Sequence, residues 1–142
     1  MRDIAHIANR EKPVLRTHNG IGQRIDFVDY HPAYHQLMAE TYGMEAHSIA
    51  WTTKQKRPQM GRSVLYYLWN QVENGVISCP NGMSWSIVPL LKSDPEIGER
   101  WLSKVLSTEY DPRPIFTDKK PSATVGMATV SYTHLRAHET LR

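Results

Sequence analysis

A chain of 142 residues, 40% of them hydrophobic, has room for one domain with a modest core. It has no run of about 18 apolar residues, which argues against a membrane span, and its first stretch, MRDIAHIANREK, lacks the continuous apolar segment of a secretory signal. The 17 basic and 14 acidic residues leave a formal charge of +3, too small an excess to indicate nucleic-acid binding by itself, and a single cysteine excludes an internal disulfide.

In chain order, DIAHIAN at residues 3–9 predicts one or two helical turns with Asp3 as N-cap, ended by Pro13. Val14–Thr17 and Ile21–Val28 are β-prone runs flanking His18-Asn19-Gly20. Asn-Gly between such runs predicts a hairpin, since both residues accept positive φ. Isolated hairpins are marginal, so this one is expected to lie on a helical body. Tyr30-His31-Pro32 then reads as a helix start with Pro32 at the first helical position. Tyr34, Leu37, Met38, Thr41, Ile49 and Ala50 mark the buried side of that helix, which Gly43 weakens by about 1 kcal/mol relative to alanine. It is expected to fade at Lys54-Gln55-Lys56-Arg57-Pro58.

The most organised stretch is Val64–Leu91. Val64, Leu65, Leu68 and Val72 share one face of a helix running from about Gln59 to Asn74, and Gly75 suits its C-terminus. Cys79-Pro80 predicts an extended step. Met83, Ile87, Val88, Leu90 and Leu91 then mark a second, more buried helix. Such a pair cannot bury itself, so the flanking segments should cover it. Ser93-Asp94-Pro95 is another cap-then-proline start, and Ile97, Trp101, Leu102, Val105 and Leu106 form a 3–4 stripe after it. Tyr110–Pro121 holds three prolines and reads as a linker, and Ala123–Val130 is β-prone. Val130–Arg142 follows no earlier pattern. YTHLRAHET within it resembles a translated sequencing-library adaptor, so the native portion is expected to end near Thr129.

Few of these residues suggest chemistry. His31 and His35 have the i, i+4 spacing of a zinc-binding helix, but no glutamate follows the first, and His31 is expected to cap the helix. His134 and His138 repeat the spacing within the tail. Cys79 has no neighbouring base to make it a nucleophile and reads as a small buried hydrophobe. Lys54, Lys56, Arg57 and Arg62 could meet phosphates, against the plainer reading of a solvated connection. Trp51, Trp69, Trp85 and Trp101 with Tyr66 and Tyr67 read as core and interface aromatics.

Five strings in order carry a resemblance: FVDYHPAYHQLM, SIAW, QVENGVISCPNGMSWSIVPLL, LSTEYDPR and VGMA. Over about residues 4–128 they resemble the N-terminal part of a flavin-dependent acyl-CoA dehydrogenase, in the branch of the adaptive-response protein AidB. The resemblance implies a mainly α fold: an N-terminal extension with a β-hairpin at 1–29, a helical domain at 30–122, the start of a truncated β domain at 123–129, and a non-native tail at 130–142.

In that family a base takes the α-proton of an acyl thioester, FAD takes the β-hydride, and the protein positions and polarises. The resemblance implies FAD, an acyl-CoA-type substrate and a tetramer-like homo-oligomer for a longer parent, cytoplasmic and acting in the alkylation-damage response. Contact with DNA belongs there to a C-terminal region that this chain lacks. The family's flavin-binding strand reads Gly-Met-x-Met-Thr-Glu-Lys-Gln-Gly-Gly-Ser-Asp. Gly126, Met127 and Ala128 match it, Thr129 stands where the family has Met, and the rest departs. The implied cofactor-binding residues are therefore Met127, Ala128 and Thr129. No catalytic or metal-binding residue is implied, and the fragment itself is expected to be inactive. The competing expectation is a stand-alone helical interaction module without catalysis, which a natural stop codon soon after Thr129 would favour.

Overall fold

The structure is a computed structural model that describes residues 1–73 and 76–127. The order is α1 (Arg2–Arg10), β1 (Val14–His18), β2 (Arg24–Asp29), α2 (Pro32–Gly43), α3 (Ile49–Thr52), α4 (Pro58–Glu73), α5 (Ser78–Ser86), α6 (Val88–Ser93) and α7 (Pro95–Leu106), followed by a single 3-10 turn at Thr117–Lys119. The chain is mostly helical with one antiparallel hairpin, as the sequence predicts. No helix among the described residues is long and apolar enough to cross a membrane.

Helix α1 starts two residues earlier than an Asp3 cap predicts. Met1 holds the N-cap position and Asp3 lies in the first turn, where its charge suits the positive helix end. Ala5 and Ala8 are buried, small enough to let α1 approach α2 closely. In the hairpin, Leu15 faces Val28 and Arg16 faces Phe27. The Asn-Gly signal marks the turn but not its form. Asn19 Oδ1 accepts the N–H groups of Ile21 and Gln23, and Gly22, not Gly20, takes the positive φ of 80°. The second strand consequently starts at Arg24, not Ile21. An irregularity opposite Arg16–His18 coincides with Asp26 at φ 44°. Every β1 residue is exposed, so the hairpin does not lie on the helical body as expected.

His31 caps α2 as predicted: the Ala33 N–H donates to its Nδ1 at 3.1 Å, with Pro32 next in the first turn. The single long helix expected after it is two. The chain leaves α2 at Gly43, Glu45 adopts φ 58°, and α3 begins at Ile49. Ala46, His47 and Ser48 are buried within this connection. Leu37, Met38 and Tyr42 of α2 join Ala5, Ala8, Ala33 and Ile77 in the first core.

The stripe on α4 does share one face, but it is only partly covered, with Leu65 and Val72 half-buried. Val64 and Leu68 are each more than half exposed. Leu65, Leu68, Trp69 and Val72 line an open groove of about 240 Å³ with Met1 and Met44. The expected C-terminal Gly75 lies outside the described residues. Cys79 and Pro80 correct the expected extended step, since both sit in the first turn of α5, where a proline lacks no hydrogen bond that a helix would use. Cys79 is also exposed, not buried. The second helix breaks at Ile87–Val88 because Pro89 starts a new helix there.

Asp94 caps α7 as predicted, accepting the Ile97 N–H at 3.1 Å. Val105 joins Val88, Leu91 and Ala123 in a second core, ringed by Trp51, Ile87, Trp101, Leu102, Leu106 and Val125. Ile97 is about half exposed. Its neighbour Gly98 is buried, and a Cβ there would run into the Leu91 carbonyl oxygen of α6. The proline-rich connection is tied to α7. Lys104 Nζ donates to the carbonyls of Thr117 and Asp118, each at 2.9 Å, and Arg100 pairs with Asp118. Residues 123–127 join no sheet, in contrast to the expected strand: the hairpin strands pair with each other, and the described residues offer this segment no strand partner.

Candidate functional site

The segment 123–127 leads to the implied cofactor-binding residues, and helix α5 fixes where it runs. The Ala123 N–H donates to the Lys104 carbonyl at 3.0 Å, which fastens the segment to the end of α7. The Val125 N–H donates to Ser84 Oγ at 3.3 Å, and the Met127 N–H to Met83 Sδ at 3.1 Å. Side chains of one helix thus take the hydrogen bonds that a neighbouring strand would otherwise take.

Ser84 is fully buried and 2.9 Å from the Tyr42 hydroxyl, which is also fully buried. Burial pushes the Tyr42 hydroxyl pKa up, and the bond to Ser84 acts in the opposite direction. Tyr42 stacks on His47 with ring centroids 3.9 Å apart. The His47 Nε2–H donates to the Ser107 carbonyl at 3.0 Å. A line of contacts therefore runs from the end of α7 to the backbone of Val125: a hydrogen bond to His47, a ring stack from His47 to Tyr42, and hydrogen bonds through Ser84. The sequence reading missed its members. The available signal was Ser84, a small polar residue on the otherwise apolar face of Met83, Ile87 and Val88.

Of the implied cofactor-binding residues, Met127 is 62% exposed. Ala128 and Thr129 lie outside the described residues, as does the whole tail with His134 and His138. The Met127 N–H is engaged by Met83.

The two helical histidines serve separate structural ends. His31 is the cap, while His35 lies 2.8 Å from the Tyr110 hydroxyl, a pairing that links α2 to the post-α7 segment. Partial burial lowers the His35 pKa, and burial pushes Tyr34 up to about 12. No group of three or more potential metal ligands occurs among the described residues. The sequence of residues 1–112 matches the family model described as the adaptive response protein AidB N-terminal domain. The chain is also 30% identical over 127 residues to a protein of Escherichia coli (strain K12) named "Putative acyl-CoA dehydrogenase AidB". That match covers 88% of this chain and 23% of the relative, so the chain spans about a quarter of that protein's length. With most of its length matched and a mainly helical fold, the chain belongs to the family of AidB N-terminal domains.

Proposed function

We propose that this chain is the N-terminal helical part of an AidB-like, FAD-dependent acyl-CoA dehydrogenase, an oxidoreductase acting on the CH–CH group of acyl thioesters. The observation that carries the reading is the family match over residues 1–112 together with the similarity to a relative named as an acyl-CoA dehydrogenase. In this reading 1–29 is an extension bearing the hairpin, 30–122 the helical domain, 123–129 the entry to a β domain and 130–142 a foreign tail. Met127, Ala128 and Thr129 begin the flavin-binding strand, and the residues that would hold most of the cofactor follow them in the parent. FAD supplies the hydride acceptor when bound. The contribution of this chain is positional. Ser84 and Met83 set where the strand leaves the helical domain, and Tyr42 holds Ser84 from behind. The parent is cytoplasmic and homo-oligomeric in this reading.

The chain of 142 residues is expected to be catalytically inactive and not to retain FAD. Purify it with excess FAD beside a version extended through the missing domains, and record visible spectra after gel filtration. The expected result is a stoichiometric flavin spectrum for the extended protein alone. A stoichiometric yellow colour on the short chain, or a colourless extended protein, would refute the reading.

A further inference from the structure

We propose that Arg62 is the centre of a phosphate-binding site on the face built by α3, α4, α5 and α6. The first ground is the distribution of charge. Between residues 46 and 93 the basic residues are Lys54, Lys56, Arg57, Arg62 and Lys92, and the acidic residue is Glu73 alone. This stretch is therefore +4 in a chain of +3, and the remainder is −1. Glu73 stands eleven positions beyond Arg62 on α4, about 16 Å along the axis at 1.5 Å per residue.

The second ground is geometry. The Arg62 guanidinium carbon lies 4.3 Å from the centroid of Tyr66 and 4.2 Å from that of Trp85. Aromatic contacts of this kind hold a guanidinium in place and leave its in-plane edge to bind. Both rings are themselves anchored. The Tyr66 hydroxyl donates to the Ser78 carbonyl at 3.3 Å. Trp85 stacks with Trp51 at 5.9 Å, and the Trp51 indole N–H donates to the Trp85 carbonyl at 3.1 Å. Lys92 Nζ sits 5.4 Å from the Trp51 centroid, so a cation closes each end of the stack.

The third ground is unmet hydrogen bonding. Arg62 Nε and Trp85 Nε1 are buried donors that meet no acceptor among the described residues. Arg62 belongs to none of the ion pairs found there, which engage Arg10, Arg16, Arg24, Arg100 and Arg113. Desolvation lowers the pKa of Arg62, the direction expected of a guanidinium held without a counter-charge. A preorganised guanidinium edge fits a carboxylate or a phosphate alike. The net charge of +4 over residues 46–93 favours the more highly charged phosphate group. The site is independent of the flavin strand and stands or falls apart from the proposed dehydrogenase reading.

Titrate the chain with inorganic phosphate at constant ionic strength, balanced with chloride, and follow tryptophan fluorescence and phosphorus-31 line width. The same titration is run with acetate. The expected result is a saturable response to phosphate with none to acetate, weakened at least about tenfold in Arg62→Lys, which keeps the charge and loses the fork. No saturation, an equal response to acetate, or undiminished binding by Arg62→Lys would overturn the proposal. If circular dichroism finds Arg62→Lys unfolded, the phosphate and acetate comparison on the unmodified chain decides alone.

Discussion

Lowering the pH from about 7.5 to about 4 is expected to remove about 3 kcal/mol of folding stability through His47, whose pKa burial pushes down to about 4 from 6.5. His47 is fully buried in the connection between α2 and α3. Its ring lies on Tyr42, its Nε2–H is committed to the Ser107 carbonyl, and Nδ1 is buried with no hydrogen-bond partner among the described residues. A proton on Nδ1 would place a cation where no carboxylate waits. Burial is the larger cause of the depression, and the carbonyls of Ser107 and Val105 offset part of it.

The sign follows from which state binds the proton first. Above pH 6.5 the ring is neutral in both states and the contribution is complete. Between 6.5 and about 4 the unfolded chain takes the proton and the folded chain does not, so stability falls; below about 4 the loss levels off. Urea unfolding at several pH values, on the chain and on His47→Gln, isolates the effect from other groups. The difference between the two should shrink as pH falls through this window. Parallel pH dependences would contradict a neutral, buried His47.

Replacing Gly98 with alanine is expected to cost about 2 kcal/mol, against the usual gain from removing a helix glycine. A Cβ at Gly98 points directly at the carbonyl oxygen of Leu91 in α6. That oxygen is main chain and cannot rotate away as a side-chain tip would. The whole of α7 must shift instead, which opens the core of Val88, Leu91, Val105 and Ala123. Overlap of this kind costs roughly 1–3 kcal/mol, and alanine returns up to about 1 kcal/mol of helix propensity.

Gly61 in α4 supplies the control, because an added Cβ there meets nothing within 4 Å. Gly61→Ala is expected to raise stability by roughly 0.4–1 kcal/mol. Thermal midpoints should therefore move in opposite directions. Equal shifts for the two substitutions would show that α6 and α7 do not meet as described.

Local chemistry was legible in the sequence. His31-Pro32 and Asp94-Pro95 marked helix starts because a capping side chain and a proline act within one turn. Asn19-Gly20 marked the hairpin because a side-chain amide organises a turn locally. What periodicity cannot convey is which face a neighbour covers. Val64 and Leu68 lie on the exposed part of their face, and Cys79 is exposed although it precedes a helix that reads as buried.

Breaks within helices were equally hidden. Gly43 weakened the predicted helix after Pro32, but the turn beyond it is held by packing of Ala46, His47 and Ser48. The anchoring of residues 123–127 was invisible for a similar reason. Ser84 reaches a backbone N–H 41 positions later, and no local pattern encodes a contact at that separation.

The resemblance, in contrast, was carried by five strings spread over the chain, which is why it reached the family when no single motif did. The family match now covers residues 1–112, and the flavin strand proposed to start at Met127 lies just past it. Sequencing the source DNA beyond the codon for residue 129 tests that assignment most directly. The predicted result is an open frame that continues with Thr-Glu-Lys-Gln-Gly-Gly-Ser-Asp or a close variant, followed by the β and second helical domains. A natural stop codon soon after Thr129 would contradict it.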